Sequence, residues 1–222
     1  MTRDDVFEFF RLLAEDDPDP QTELEFGNVY QLLVAVVLSA QSTDAGVNKA
    51  TRKLFAEVKT PQQMVALGED GLKQHIKTIG LFNTKAKNVI ALSEMLIAEH
   101  GGEVPGDRDA LIALPGVGRK TANVVLNCAF GAATFPVDTH VFRVCNRTGL
   151  APGKTPEQVE ARLEKVVPEP FRHGAHHWLI LLGRYTCKAR APECWRCRVI
   201  EPCGFRHKVF EKPAAKSKRK GG

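Results

Sequence analysis

Four of the six cysteines crowd into seventeen residues near the C-terminus, and this is the strongest constraint on what the chain can fold into. The spacing C-x6-C-x2-C-x5-C covers Cys187, Cys194, Cys197 and Cys203. Where thiols stay reduced, such a group indicates a metal site more than a pair of disulfides. The spacing is compatible with tetrahedral zinc and with an iron–sulfur cluster. We predict a structural metal site that fixes the C-terminal segment.

Helical periodicity runs through almost all of the remaining chain. The segment Lys85 to His100 places on one face Ala86, Val89, Ile90, Ser93, Leu96 and Ile97. The run from Leu32 to Leu38 is apolar all round, which predicts a buried helix. Alternating strand patterns are scarce, and Gly and Pro fall at helix boundaries. The sequence therefore predicts an all-α protein of about ten helices.

Charge is distributed unevenly along the chain. Residues 205–222 contain seven Lys and Arg against one Glu, whereas residues 1–25 contain nine acidic residues against two Arg. The central part is mildly basic, which suits a polyanionic partner, although charge that serves only solubility gives the same pattern. From Lys212 onward the chain has no apolar anchor, and we expect a disordered basic tail over 212–222.

Nothing in the sequence indicates a membrane or export. The longest apolar run, Leu32 to Leu38, is far shorter than the ~20 residues that a membrane span needs. The N-terminal residues MTRDDVFEFF are acidic, whereas a secretory signal begins with basic residues. We therefore expect an intracellular protein of the cytoplasm or nucleoid.

The segment LPGVGRK, Leu114 to Lys120, lies between a predicted short helix over 107–113 and a longer one over 119–130. Gly116 and Gly118 allow a tight turn with exposed backbone N–H groups, and such groups at a helix N-terminus bind anions. This is the pattern of a helix-hairpin-helix that grips a DNA phosphate. A third glycine and the phosphate-loop spacing are both missing, so neither nucleotide-binding motif applies. An ordinary helix–helix turn remains the alternative.

Lys120 falls in the first turn of the longer helix, where the positive end of the helix dipole disfavours a cation. A lysine kept at this unfavourable position suggests that the residue has a function, and we predict that it is a nucleophile. The dipole and partial burial would lower the pKa of the amine, whereas a nearby phosphate or Asp would raise it. The sequence does not decide the net change in this pKa. A lysine that only neutralises phosphate remains the alternative.

Asp138 follows Phe135-Pro136-Val137 and is well placed to cap the next helix. That structural role holds whatever else the side chain does. A capping carboxylate can still expose one oxygen, which would stabilise a cation at a sugar C1′ or activate the lysine. His140, two residues later, fits a polar contact better than a catalyst.

Together these residues resemble the endonuclease III family of helix-hairpin-helix DNA glycosylases. The resemblance covers about residues 20 to 206 and depends on four motifs: LSAQSTD from Leu38, LPGVGRKTA from Leu114, VDTHVFRVCNR from Val137 and GRYTCKARAPECWRCRVIEPC from Gly183. It implies an enzyme that removes oxidised pyrimidines from double-stranded DNA and nicks the abasic site by β-elimination. Lys120 aligns with the family's nucleophile and Asp138 with its carboxylate.

The resemblance also implies the architecture and the cofactor. The four cysteines would bind a [4Fe-4S] cluster, and DNA would lie between two all-α domains of a monomer. One domain is a six-helix unit over residues 22–132 that contains the hairpin. The other combines residues 1–21 with 133–211 and carries the cluster.

Gln41 and Leu81 align with residues that fill the gap left in the base stack when a nucleotide flips. On the sequence alone, the alternative for Gln41 is a polar loop residue and the alternative for Leu81 is core packing. The further expected DNA contacts are Asp44, Leu114, Gly116, Val117, Gly118, Arg119, His140, Lys188 and Arg190. The chain departs from the family at Ala191 and Glu193, where relatives are often more basic, and at Phe82, where Tyr is common.

Two other functions fit parts of the pattern. A monofunctional glycosylase of the adenine-mismatch kind would lack the lysine at position 120 and usually has an extra C-terminal domain. A non-catalytic DNA-binding module would hold zinc in its cysteine knot. Colour separates the second alternative, because an iron–sulfur protein is brown and a zinc protein is colourless.

Overall fold

The computed structural model describes residues 1–212, which form ten α-helices and no β-strand. The helices are α1 (Arg3–Asp16), α2 (Val29–Ser39), α3 (Asp44–Glu57), α4 (Pro61–Ile76), α5 (Phe82–His100), α6 (Arg108–Ala113), α7 (Arg119–Phe130), α8 (Thr139–Thr148), α9 (Pro156–Val166) and α10 (Ala175–Leu181). The all-α prediction is confirmed. The predicted basic tail lies outside the described residues from position 213 onward.

The chain divides into two compact units. The first contains Met1–Pro20 and the chain from Val137 onward, and the second contains Gln21–Pro136. Helices α2 to α7 therefore lie in the second unit, whereas α1 and α8 to α10 lie in the first. Within the described part of the chain, no helix combines the length and apolarity needed to cross a membrane.

Helix α2 is the centre of the second unit. Its residues from Leu32 to Leu38 are at most 3% exposed, as predicted for an all-apolar helix. The buried amide of Gln31 donates to the carbonyls of Phe55 and Val58 at 2.9 and 2.8 Å, which fixes the end of α3 against α2. A hydrogen bond of 2.6 Å between the hydroxyls of Tyr30 and Ser93 joins α2 to α5.

The buried face of α5 is partly the predicted one. Ala86, Val89, Ser93 and Leu96 are buried as expected. The prediction is wrong for Ile97, which is 36% exposed, because the buried face is centred closer to Leu92. Lys85 begins this buried face at 5% exposure, a position where an amphipathic pattern does not place a charge.

The core of the first unit joins its two chain segments through aromatic packing. Phe10 of α1 packs on Phe171 and Trp178, with ring centroids 6.1 and 6.4 Å apart. The indole N–H of Trp178 donates to the carbonyl of Asp17 at 2.8 Å. The N-terminal helix is therefore fastened to α10 by packing and by a directed hydrogen bond.

Replacing Leu33 with Ala should lower the free energy of unfolding by about 2–5 kcal/mol. The substitution leaves a cavity in the core around α2, and the helix has no exposed side toward which neighbouring residues could relax. Chemical denaturation monitored by circular dichroism measures the loss. The control is Ile112→Ala, where 38% exposure predicts a change within about 1 kcal/mol. Equal losses in the two variants would contradict the assignment of α2 as the central helix.

Candidate active site and metal centre

The hairpin between α6 and α7 has the predicted form. The N–H of Val117 donates to the carbonyl of Leu114 at 3.1 Å, which closes the turn. Gly116 adopts a positive φ of 77°, and a Cβ there would lie 2.8 Å from the amide nitrogen of Asn88. Only glycine fits both requirements, so the turn depends on that residue type.

Helix α7 begins without a side-chain cap, because its N-cap is Gly118. The first backbone N–H groups of a helix have no partner within the helix, and they lie next to exposed Gly118 and Arg119. The side chains of Leu114 and Val117 are 2% and 6% exposed, so these two residues can offer a ligand only their backbone. The hairpin thus presents backbone donors and a guanidinium on one edge.

Lys120 occupies the first turn of α7, as predicted. Its side chain belongs to the exposed part of the surface. The adjacent positions face outward because the helix starts at the edge of the unit, whereas Ala122 and Asn123 are the first residues of α7 to enter the core.

Asp138 caps α8, as predicted. Its Oδ1 atom accepts hydrogen bonds from the backbone N–H groups of His140 and Val141, both at 2.8 Å. Both bonds use the same oxygen, which leaves Oδ2 outside the cap. The side chain is half-buried. The guanidinium of Arg143 donates a hydrogen bond of 3.2 Å to Nδ1 of His140, so this histidine makes a polar contact.

Helix α8 also holds the segment that contains the first cysteine. Arg147 donates from its guanidinium to the carbonyls of Lys188 and Ala189 at 2.6 and 2.8 Å, and more weakly to the carbonyl of Cys187 at 3.4 Å. Arg143 donates to the carbonyls of Gly183 and Cys187 at 2.8 and 3.1 Å. Sequence motifs did not single out either arginine, because their partners lie about forty residues away.

A π-helical turn, Leu182–Thr186, places Cys187 beside α8. The N–H of Cys187 donates to the carbonyl of Leu182 at 2.6 Å, which is the wider hydrogen bond of a π-turn. A Cβ on Gly183 would lie 2.8 Å from Cβ of His140, so this close approach requires glycine.

The four cysteines of the C-terminal group line one cavity of about 360 Å³, a volume that includes space open to solvent. Arg147, Leu182, Val199 and Phe205 complete much of the wall. Within residues 1–212, no three His, Cys, Asp or Glu side chains converge closely enough to hold a single metal ion. The four thiols therefore surround a cavity and do not converge on the position of a single ion.

Two of the four sulfurs accept hydrogen bonds, whereas burial disfavours the thiolate form of a third. Arg147 donates to Sγ of Cys187 and the N–H of Phe205 donates to Sγ of Cys203, both at 3.5 Å. Burial raises the pKa of the Cys197 thiol to about 11, and the neighbouring cysteines contribute to the rise. Thiolates are the form that binds metals, so a bound cation would provide the compensation that the free thiols lack.

The loop between Cys187 and Cys194 is less basic in effect than its residues suggest. The Glu193 carboxylate contacts the ammonium of Lys188 at 2.6 Å and the guanidinium of Arg196. These hydrogen bonds hold the pKa of Glu193 below its usual value. Arg190 is exposed, whereas Lys188 is neutralised by an acid of the same loop.

Gln41 and Leu81 have a shared backbone feature. Both adopt left-handed conformations, with φ of 55° and 59°, and both side chains are exposed. Leu81 is 59% exposed, so core packing does not explain it. Asp44, at the start of α3, is half-buried.

The fold and the hairpin define a class of protein. A model of the HhH-GPD superfamily of base excision DNA repair proteins matches residues 34–169. A solved structure of a trapped endonuclease III–DNA covalent intermediate superposes with a TM-score of 0.85 at 45% identity, and covers 91% of this chain and 96% of that one. A thermostable thymine-DNA glycosylase superposes with a TM-score of 0.77 at 26% identity, covering 90% and 94% of the two chains.

Curated relatives are more similar still. Endonuclease III of Escherichia coli K12 is 58% identical over 202 residues, which is 91% of this chain and 96% of the relative. Endonuclease III of Haemophilus influenzae is 56% identical over 209 residues, or 94% and 99%. The chain belongs to the endonuclease III family.

Gly183→Ala should lower the free energy of unfolding by about 1–3 kcal/mol, because the added methyl group forces α8 away from the π-turn. Thermal denaturation provides the measurement. In Gly80→Ala the new methyl group meets nothing within 4 Å, and stability should stay almost unchanged. If Gly183→Ala were as stable as this control, the close packing of α8 on the turn would not exist in solution.

Proposed function

We propose that this protein is a base-excision-repair DNA N-glycosylase that removes oxidised pyrimidines from duplex DNA and cuts the abasic site by β-elimination, with Lys120 as nucleophile. The observation that carries the proposal is the position of Lys120. In a chain of the endonuclease III family, its exposed amine stands two residues after Gly118, where the hairpin offers backbone donors to a phosphate. A backbone contact at that point would bring a sugar within reach of the amine.

The reaction needs an uncharged amine and a flipped nucleotide. Nζ of Lys120 attacks C1′, and the bond from C1′ to the base breaks as the base leaves with the electron pair. Opening of the sugar ring gives a protonated Schiff base. Its positive charge allows loss of a C2′ proton, and the C3′–O bond then breaks, which cuts the strand on the 3′ side. Water hydrolyses the Schiff base and releases Lys120.

In this mechanism, Asp138 supplies the negative charge that the reaction steps require. Its Oδ1 atom is engaged in the helix cap, so Oδ2 is the atom that we assign to chemistry. An ionised carboxylate there would accept a proton from the lysine or stabilise positive charge at C1′. Because Lys120 is exposed in the free protein, we assign the removal of its proton to this carboxylate.

The remaining predicted contacts bind DNA mainly without reading sequence. Leu114, Gly116, Val117 and Gly118 would act through the hairpin backbone, and Arg119 through its exposed guanidinium. Gln41 and Leu81 would enter the base stack, since both side chains project from strained turns. Asp44, His140, Lys188 and Arg190 are further contacts that we propose. The pairing of Lys188 with Glu193 predicts that its contribution is small.

We further propose that Cys187, Cys194, Cys197 and Cys203 bind a [4Fe-4S] cluster. Support comes from the four thiols lining one cavity, from the N–H donors aimed at two of the sulfurs and from the resemblance. When bound, the cluster supplies iron–thiolate bonds that fix the C-terminal segment. Arg147 would stabilise the thiolate of Cys187 and hold the adjoining loop.

The two compact units would be the two domains of this enzyme, with the hairpin in Gln21–Pro136 and the cluster in the other unit. Since the proposed substrate is duplex DNA, we propose that the protein acts in the cytoplasm, at the nucleoid. We also propose that it acts as a monomer.

Borohydride reduction in the presence of an abasic duplex should trap wild-type protein covalently. Lys120→Arg should give no adduct while it still binds DNA, because arginine keeps the charge and cannot form the Schiff base. Asp138→Asn keeps the helix cap and should slow trapping by about 100-fold or more. The matched control is exposed Lys53→Arg, which should trap at the wild-type rate. An adduct in Lys120→Arg at wild-type yield would refute the assignment.

Purified protein should be brown and contain about four iron atoms per chain. Cys197→Ser should lose the colour and the iron, measured by visible absorption and metal analysis. Cys128→Ser is the control, because Cys128 lies outside the group, in α7, and its removal should leave the iron content unchanged. Stoichiometric zinc without iron, or iron retained equally by both variants, would contradict the proposal.

A further inference from the structure

Two turns of the second unit contain strained backbone at exposed side chains. In the described residues, Gln41 and Leu81 are the two non-glycine residues with positive φ. This conformation costs free energy in a residue with a Cβ, and it persists only where the surrounding structure holds it. Gln41 lies between α2 and α3, and Leu81 precedes α5. Something must therefore hold both turns.

Lys85 is hydrogen-bonded to both turns. Its backbone N–H donates to the carbonyl of Leu81 at 3.0 Å. Its ammonium donates to the hydroxyl of Ser42, the residue after Gln41, at 2.8 Å. The turn is closed on its other side by the N–H of Ser42, which donates to the carbonyl of Ser39 at 2.9 Å. Lys85 thus links its own turn to a turn whose Ser42 lies 43 positions earlier in the sequence.

The burial of Lys85 is not explained by stability. The residue is 5% exposed, and burial lowers the pKa of its ammonium. A buried charge is costly unless a partner compensates it, and the partner here is a neutral hydroxyl. An apolar side chain of the same length would fill the space at lower cost. Buried charge retained in this way is characteristic of a functional constraint.

We propose that Lys85 is a positioning residue that holds Gln41 and Leu81 at a fixed separation, so that the two side chains enter the base stack of a damaged duplex together. This inference rests on the proposed function of the protein. Turns that are already ordered lose less conformational entropy when they bind DNA. This is the advantage of the hydrogen bond between Lys85 and Ser42. Lys85 itself does not contact the reacting atoms in this proposal.

The test compares abasic sites in double and single strands. A single strand has no opposing base and no gap to fill, so only the duplex reaction requires the paired side chains. Rates of borohydride trapping are measured on both substrates for Lys85→Met, Ser42→Val and Ser42→Thr. Threonine keeps the hydroxyl acceptor and valine has the same shape without it. Ser42 is half-buried at the end of a turn, so both of its variants should fold.

Lys85→Met and Ser42→Val should each slow trapping on the duplex by about 10- to 100-fold, the loss expected for a hydrogen bond to a charged group. Trapping on the single strand should change by less than about twofold. Ser42→Thr should behave as wild type, and the Lys85→Met/Ser42→Val double variant should lose no more than either alone, since both remove the same bond. Lys53→Met is the charge control and should have no effect.

Other outcomes overturn the inference. Equal losses of trapping rate on both substrates would show that Lys85 acts on stability or on the nucleophile. Unchanged rates on the duplex would show that its hydrogen bond to Ser42 has no role in the reaction. Additive losses in the double variant would show that the two side chains act separately. Failure of the wild type to trap on either substrate would instead overturn the proposed function, and with it the inference.

Discussion

The segment that begins the proposed metal centre, residues 187–189, is held by the hydrogen bonds of one guanidinium. Arg147 binds the carbonyls of Lys188 and Ala189 and reaches Sγ of Cys187, so the loop of the proposed metal centre is held from α8. The same helix starts at Asp138, whose carboxylate forms its cap. The carboxylate that we assign to catalysis and the proposed cluster are therefore attached to opposite ends of one ten-residue helix. A lysine could not replace Arg147, because it lacks the planar fork that reaches several acceptors at once.

The nucleophile is held by a different constraint, the geometry of the hairpin. Gly116 closes the turn against Asn88, and a helix without a side-chain cap begins three residues later. Lys120 is consequently exposed and close to backbone N–H groups that have no partner within the helix. In the proposed mechanism, bound DNA would become part of the catalytic environment, since its phosphate would meet these donors and its sugar would meet the amine. The protein supplies placement and a carboxylate, and the substrate supplies the exclusion of water.

Local patterns predicted much of the fold and of the candidate site. The all-apolar run of α2, the turn glycines and the capping position of Asp138 depend on neighbours in sequence, and each was found as predicted. Long-range contacts could not be predicted in this way. The burial of Lys85 depends on Ser42, and the role of Arg147 depends on carbonyls 41 and 42 positions away. The exposure of Lys120 could not be predicted either, because the dipole argument describes one helix end and carries no information about how far that end stands from the core.

Identification of the residue that carries the sugar tests the central claim most directly. The borohydride-trapped adduct with an abasic duplex is digested with nuclease and trypsin, and its modified peptide is sequenced by mass spectrometry. A reduced Schiff base at Lys120 blocks cleavage after that residue, so the account predicts one peptide that begins at Lys120, ends at Arg143 and carries the sugar remnant on Nζ. A remnant on the N-terminal amine or on any other lysine would contradict the account.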